Sequence, residues 1–248
     1  MEEHAYITSI LAGIFYLVAS LRLTRLSRRT GERPELLLGL YFGTTGIYYI
    51  AYNLPSLLGF APWTTSITWM IEWVYVIGVF PYLFFIHSVF RPGNTWAGIL
   101  VWFCSLLLLV GTVLGDLSEY AAYSFDNPWF LTQWAGYTIP CVWLCWEAML
   151  SHQSARRRAA LGLCTPLVAN RYLLFALFGG FQILACLADL SYAADLTNSQ
   201  TASLISEVLL GSTEIVSVAV LWLAFFPPRF YAKWIARRTV ILSTPVDG

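Results

Sequence analysis

Seven long apolar stretches divide this chain, and its fourteen basic residues all fall in one alternating set of the gaps between them or, for Arg171, within two turns of such a gap. Lys and Arg close to span ends are retained on the cytoplasmic side of a membrane, so this sorting predicts a topology as well as a helix count. Arg22, Arg25, Arg28, Arg29 and Arg33 follow the first stretch, Arg91 the third, and Arg156, Arg157, Arg158 and Arg171 the fifth. Arg229, Lys233, Arg237 and Arg238 lie in the tail, whereas the other gaps carry Glu2, Glu3, Asp116, Glu119, Asp126 and Asp195. The expectation is an all-α membrane protein: a seven-transmembrane helix bundle with its N-terminus outside and its C-terminus inside.

The stretches run from Tyr6 to Leu21, Glu35 to Leu57, Ser66 to Phe90, Trp96 to Gly115, Trp129 to Leu150, Pro166 to Leu190 and Ala202 to Phe226. Crossing a hydrocarbon core of about 30 Å takes roughly 20 helical residues, so the first is short and the third has length to spare for tilt. With 58% hydrophobic and 11% charged residues the chain is far from a soluble domain, which carries about 25% charged residues. The net charge of zero averages a basic inner face and an acidic outer one. Residues 1–226 read as one seven-helix domain and 227–248 as a cytoplasmic segment, and no nucleic-acid partner is expected.

Glu2 and Glu3 precede the first stretch and the arginines follow it, the reverse of a cleaved secretory signal, so an uncleaved helix is expected. Cys104, Cys141, Cys145, Cys164 and Cys186 fall in spans or near the inner face, where no disulfide is expected. The longest connection, from about Ser151 to Thr165, reads as a basic cytoplasmic stretch, and short loops elsewhere make consecutive helices antiparallel neighbours. Pro227 and Pro228 end the seventh span. Beyond them Phe230, Tyr231, Trp234 and Ile235 recur at helical spacing, with Arg229, Lys233 and Arg237 on another face, which predicts a short amphipathic helix in the inner headgroup layer, held by membrane lipids.

Sliding the second span onto the sixth aligns Leu37-Leu38 with Leu173-Leu174, Phe42-Gly43 with Phe178-Gly179, Ile47 with Ile183 and Asn53 with Asp189, and Glu72 comes close to Glu207. Leu-rich helices produce such matches by chance as well. As a true repeat it would fit a three-plus-one-plus-three architecture known from small transporters.

A charge at mid-bilayer costs about 2.5–3.5 kcal/mol on insertion scales, so acids kept there normally face the bundle interior or a wet cavity. Glu72 lies about a third of the way down the third span from outside, Glu207 at similar depth in the seventh, Glu214 near the midplane and Asp189 at the outer end of the sixth. Glu147, near the inner end of the fifth, is expected to reach water. Glu207 and Glu214 share a helix face with Ser203, Gly211 and Ser217, and small polar stripes mark the packed side of a membrane helix. Gln182, Cys186 and Asp189 form a similar stripe on the sixth span, and Thr45, Tyr48, Tyr49 and Tyr52 are available on the second.

Trp69, Trp73, Trp134 and Tyr137 crowd the same depth. Carboxylates within aromatic walls suit an organic cation, through charge pairing and cation–π contact. A proton is the other natural ligand for a carboxyl taken out of water. The plainer alternative keeps Trp and Tyr as interfacial residues and the acids as protonated groups hydrogen-bonded between helices.

His4, His87 and His152 lie too far apart along the topology to share a metal, and Cys141 with Cys145 reads as lipid-buried packing. No phosphate-cradling glycine loop, nucleophile elbow or zinc-protease motif occurs. Pro81 and Pro140 are expected to kink the third and fifth spans.

Seven helices with an outer N-terminus, little loop and a short amphipathic helix after the last span resemble the architecture shared by microbial rhodopsins and G-protein-coupled receptors. The resemblance stops at topology. A retinal protein needs a lysine in its seventh helix, and the only lysine here, Lys233, lies beyond the span; covalent retinal is thereby excluded, and a noncovalent polyene or other lipid is left open. The receptor arginine motif is replaced by His87-Ser88-Val89-Phe90-Arg91-Pro92, and no asparagine-proline motif occurs in the seventh span. The run Arg28-Arg29-Thr30-Gly31-Glu32-Arg33-Pro34-Glu35-Leu36-Leu37-Leu38-Gly39-Leu40 looks like a stretch recurring in uncharacterised bacterial seven-helix membrane proteins, which implies a bacterial inner membrane. Physically it is a basic turn with Pro34 opening a helix whose dipole Glu35 complements.

The expected function is that of a sensor or ligand-binding protein, which admits a small molecule or proton from outside and signals through a cytoplasmic partner. A small proton-coupled transporter is the alternative. A third reading is an intramembrane enzyme acting on a lipid or isoprenoid, with Glu207 and Glu214 as acid and base. The expected ligand-binding set is Glu72, Glu207, Glu214, Asp189, Trp69, Trp73, Tyr48, Tyr52, Trp134 and Tyr137, with no catalytic or metal-ligating residues.

Overall fold

Helix punctuation in the sequence explains where the chain bends. Pro34 and Pro128 stand in the first turns of two helices, where a missing N–H costs nothing, and Pro166 opens another. Gly31 and Gly162, with φ of 77° and 71°, follow the C-terminal ends of two helices, the second being the one that Pro128 opens, in the left-handed conformation that a Cβ disfavours. The computed structural model describes residues 2–61, 63–117, 125–193 and 200–235, with side chains described at 6–61, 63–116, 125–191, 193 and 210–235.

Within these residues the structure is all helix. The elements are α1 (Glu2–Thr30), α2 (Arg33–Leu57), α3 (Thr65–Phe90), α4 (Thr95–Leu117), α5 (Pro128–Ala160), α6 (Pro166–Ala193), α7 (Gln200–Phe225) and α8 (Arg229–Ile235), the last bent 77° from α7. The seven long helices close a ring in chain order: each packs on the next, α7 returns to α1, and α3 also touches α5.

Two expected boundaries move. α1 continues past Leu21 to Thr30, so Arg22, Arg25, Arg28 and Arg29 ride on a helix and not a loop. α5 runs 33 residues, about 50 Å at 1.5 Å per residue, and absorbs most of the expected loop after Ser151. Loss of apolarity ends a span, but Arg and Ala remain good helix formers, so the helix itself goes on. Pro81 and Pro140 interrupt neither α3 nor α5.

Small residues set the closest crossings, as in membrane bundles where backbone approach replaces the hydrophobic drive. A Cβ on Gly46 of α2 would lie 2.8 Å from the Gly13 carbonyl oxygen of α1, and one on Gly111 of α4 would lie 2.8 Å from Gln133 Cα of α5. Two of the residues aligned as a repeat, Gly43 and Gly179, occupy comparable places. Gly43 faces Ser20 of the preceding helix, Gly179 faces Cys145 of its preceding helix, and Phe42 meets Phe178 edge-on at 6.2 Å.

Polarity is distributed inside out. Ile14, Phe15, Met70, Ile99, Trp102 and Trp146 point outward, while Thr45, Ser105, Gln182, Glu214 and Ser217 are buried. Four helical segments, Tyr6–Thr30, Thr65–Phe90, Thr95–Asp116 and Pro166–Ser191, are long and apolar enough to cross a membrane, and a fifth is added if α7 and α8 form one broken segment. α2 and α5 fall short because Tyr41, Tyr48, Tyr49 and Tyr52, and Trp129, Gln133, Trp134 and Tyr137, dilute their aliphatic content. The chain is therefore a multi-pass membrane protein.

The arginines gather at one end of the ring. Arg22 of α1 lies over Trp222 of α7 at 4.6 Å, Arg171 of α6 donates to the Ala224 carbonyl at 3.0 Å, and Asn170 donates to the Tyr231 hydroxyl, tying α8 to α6. Glu147 does not reach water as expected. It is buried and accepts from Arg91 Nε at 2.8 Å, a pairing that holds the guanidinium still more firmly in its charged form. Truncating Arg91 to Ala is expected to lower the thermal midpoint in detergent, because a buried carboxylate loses its counter-charge. Adding Glu147→Gln to that variant should restore part of the loss; a midpoint unchanged by Arg91→Ala would show the pair to be dispensable.

Candidate functional site

The opposite end of the ring encloses a cavity of about 230 Å3. Six helices reach it: α2 supplies Tyr48 and Tyr49, α3 Glu72 and Tyr75, α4 Leu108, Gly111, Thr112, Gly115 and Asp116, α6 Ala185 and Asp189, and α7 Leu210 and Glu214. From α5 and the residue before it come Asn127, Phe130, Gln133, Trp134 and Tyr137. Asn127 is fixed because its side chain caps α5, accepting from the backbone N–H groups of Trp129 at 3.0 Å and Phe130 at 3.4 Å. The two helices whose aromatic content dilutes their apolar character are thus the ones that build much of the wall.

Glu214 sits at the cavity floor, 6% exposed. Tyr16 of α1 donates its hydroxyl to Oε2, Gln182 Nε2 lies 3.5 Å from the same oxygen, and Tyr49 lines the same cavity. The amide is oriented by its other bonds: Nε2 donates to Ser217 Oγ at 3.1 Å, and Oε1 accepts from the Tyr137 hydroxyl. Tyr137 in turn meets the Tyr41 hydroxyl at 3.0 Å. The two groups that bond to the carboxyl, Tyr16 and Gln182, are both neutral donors. None of the described cavity-lining residues is a lysine, arginine or histidine, so the wall they form brings no basic partner to this carboxyl.

Of the expected set, Glu72, Asp189, Glu214, Tyr48, Trp134 and Tyr137 line one cavity. Trp134 is locked there by its Nε1 bond to the Cys186 carbonyl at 2.8 Å. Tyr52 is 40% exposed and stacks outside on Tyr48, at 5.6 Å between ring centres. Trp69 is equally exposed and stands outside the lining; Trp73 is half-buried and also stands off the lining. These corrections have one cause: interfacial Trp and Tyr share the depth of the acids, but helix rotation turns some of them outward. The side chain of Glu207 lies outside the described residues.

Tyr16, Tyr75, Asp116 and Gln133 join the site without having been expected there. Tyr16 is an isolated hydroxyl in an apolar run, which is a legible signal. Asp116 ends α4, so by sequence it reads as a loop acid. Cys141, expected to lack a thiol partner, meets Cys186 of α6, and all five cysteines are free.

Below the cavity, towards the arginine end, aromatic rings fill the axis. Tyr41 stacks on Tyr82 at 4.8 Å, and Phe175 contacts Phe85, Phe90 and Phe225 at 5.7, 6.2 and 5.7 Å. Tyr41, Tyr82, Phe42, Phe85 and Phe178 are at most 1% exposed, so these rings are closed off from solvent. Among the described residues no group of three His, Cys, Asp or Glu is placed to hold a metal ion. Compared with known protein families, with curated proteins and with solved structures, the chain has no match.

Proposed function

We propose that this is a seven-span sensor of the bacterial inner membrane, with its N-terminus outside, which binds a small organic cation in its cavity and relays a helix shift to a cytoplasmic partner. The observation that carries the reading is the cavity itself: four carboxylates, Glu72, Asp116, Asp189 and Glu214, within an aromatic wall whose described residues include no basic one. A buried anion lined only by neutral donors draws a cation, which the aromatic faces also favour. The arginine-rich end opposite the cavity suits the cytoplasmic side, so the cavity lies beneath the outer surface. The helical extension of α5 through Arg156, Arg157 and Arg158 would present the signal to an acidic partner surface.

The comparable places of Gly43 and Gly179 favour a second reading, a transporter of three-plus-one-plus-three helices. The packed aromatic floor favours the sensor, because a transporter needs that floor to open. Reconstitution distinguishes them. The full chain in lipid nanodiscs is expected to bind n-butylammonium, read by calorimetry, and vesicles containing it are expected to show no n-butylammonium-driven proton movement. Binding with flux would replace the sensor by the transporter, and absence of binding would remove the cation site.

A further inference from the structure

At the arginine end of the ring, α1 and α7 stop at different heights. Arg22 of α1 lies level with Trp222 and Phe226, its guanidinium carbon 4.6 and 5.8 Å from the two ring centres. From there α1 continues to Thr30, about 12 Å further at 1.5 Å per residue, whereas α7 stops at Phe225 and the chain turns 77° into α8. α8 leaves towards α6, to which Asn170 and Tyr231 tie it. A notch therefore remains beside the last turns of α1, with the Trp222 and Phe226 rings as its floor.

The notch is basic and its donors are unused. Arg22, Arg25 and Arg29 recur at helical spacing on one flank of α1, Arg229 opens α8 just after Phe226, and all four are exposed. Two rings hold the Arg22 guanidinium in place, yet its N–H groups have no acceptor among the described residues. Arg91 with Glu147 is the only ion pair among the described residues, so Glu32 and Glu35, the acids that follow α1, neutralise none of the four.

Below the arginines the same flank turns apolar. Phe15 and Val18, each one heptad before Arg22 and Arg25, are 52% and 41% exposed, and Ala219 of α7, one heptad before Phe226, is exposed as well. Basic donors above an exposed apolar flank follow the order of a phospholipid, phosphate above and chains below. The polar layer of a bilayer is about 5–7 Å thick on each side, so the rise of α1 carries Arg25 and Arg29 through it.

We infer that this corner binds an anionic phospholipid of the adjoining leaflet, its phosphate accepting from these arginines and an acyl chain lying along Phe15, Val18 and Ala219. Guanidinium groups suit the task because they present paired N–H donors to two phosphate oxygens. The rings beneath Arg22 hold it ready, so less freedom is lost when the lipid arrives. A soluble phosphate would engage the arginines and leave the apolar flank idle.

Native mass spectrometry of the full chain in a nonionic detergent tests the site. Offered equal amounts of phosphatidylglycerol and phosphatidylcholine with the same acyl chains, the protein is expected to retain phosphatidylglycerol with a preference of at least about fivefold. Arg22→Ala with Arg25→Ala should bring that preference to about twofold or less, while Arg157→Ala with Arg158→Ala, at the end of α5, leaves it unchanged. Equal retention of the two lipids by the unaltered chain overturns the site, and so does an equal fall in both double variants, which would mean diffuse attraction to the basic end. Release of the lipid by glycerol 3-phosphate, the same head without chains, would make the ligand a soluble phosphate and overturn the lipid. Should Arg22→Ala with Arg25→Ala not fold, Trp222→Leu takes its place: it removes the ring under Arg22, keeps every charge and is expected to lower the preference, and no change there overturns the assignment.

Discussion

Replacing Glu214 by Gln weakens n-butylammonium binding at least about 30-fold, or about 2 kcal/mol, while the bundle keeps its fold. The charge is removed from the floor of the cavity, and removing one partner of an enclosed charge pair costs about 2–5 kcal/mol in comparable contacts. Gln is nearly isosteric, so Tyr16 keeps an acceptor and Gln182 stays anchored to Ser217 and Tyr137. Glu214→Leu should lose the same binding and also stability, because it leaves the fully buried Tyr16 hydroxyl only a 3.5 Å contact with Ser217 Oγ. Calorimetry in nanodiscs reads the first effect and detergent melting the second. Equal affinity for the Glu214→Gln variant and the unaltered protein would take Glu214 out of the site.

The second large effect is steric. Gly111→Ala is expected to destabilise the bundle by about 2–3 kcal/mol, at the upper end of what overpacking costs, whereas Gly98→Ala on the same helix is expected to be neutral or slightly stabilising. A Cβ at position 111 runs into the backbone of Gln133, which no rotamer change relieves, so α4 and α5 must separate; a Cβ at position 98 meets nothing within 4 Å. Gly111 and Gln133 also line the cavity, so the variant should bind cations more weakly. Unfolding titrations of both variants in mixed micelles provide the measurement. Similar stabilities for the two would mean that α4 and α5 are not held as closely as described.

Much of the site is readable by depth and little of it by direction. Glu72, Asp189 and Glu214 are expected inward because a charge is too costly against lipid, and they share one cavity. The same argument has no force for Trp and Tyr, which are stable either inward or at the interface; hence Tyr48, Trp134 and Tyr137 line the wall while Trp69 and Tyr52 are turned out. The burial of Glu147 is not legible along the chain, because its partner, Arg91, lies 56 positions away and reaches it only through the packing of α3 on α5. Tyr16 stands out as a lone hydroxyl in an apolar run, but its pairing is hidden for a similar reason, since Glu214 is 198 positions distant.

Sequence alone determined the helices, through apolar length and Pro and Gly punctuation, and it sorted the arginines to one end, because the free energy of placing a residue in lipid depends on that residue's own chemistry. Only the tertiary structure decided how each helix is rotated, which acids are paired and where the cavity stops. These helices are apolar nearly all round, so their rotation is set by a few close crossings such as Gly13 on Gly46 and Gly111 on Gln133, and a crossing is a property of two helices that neither carries by itself.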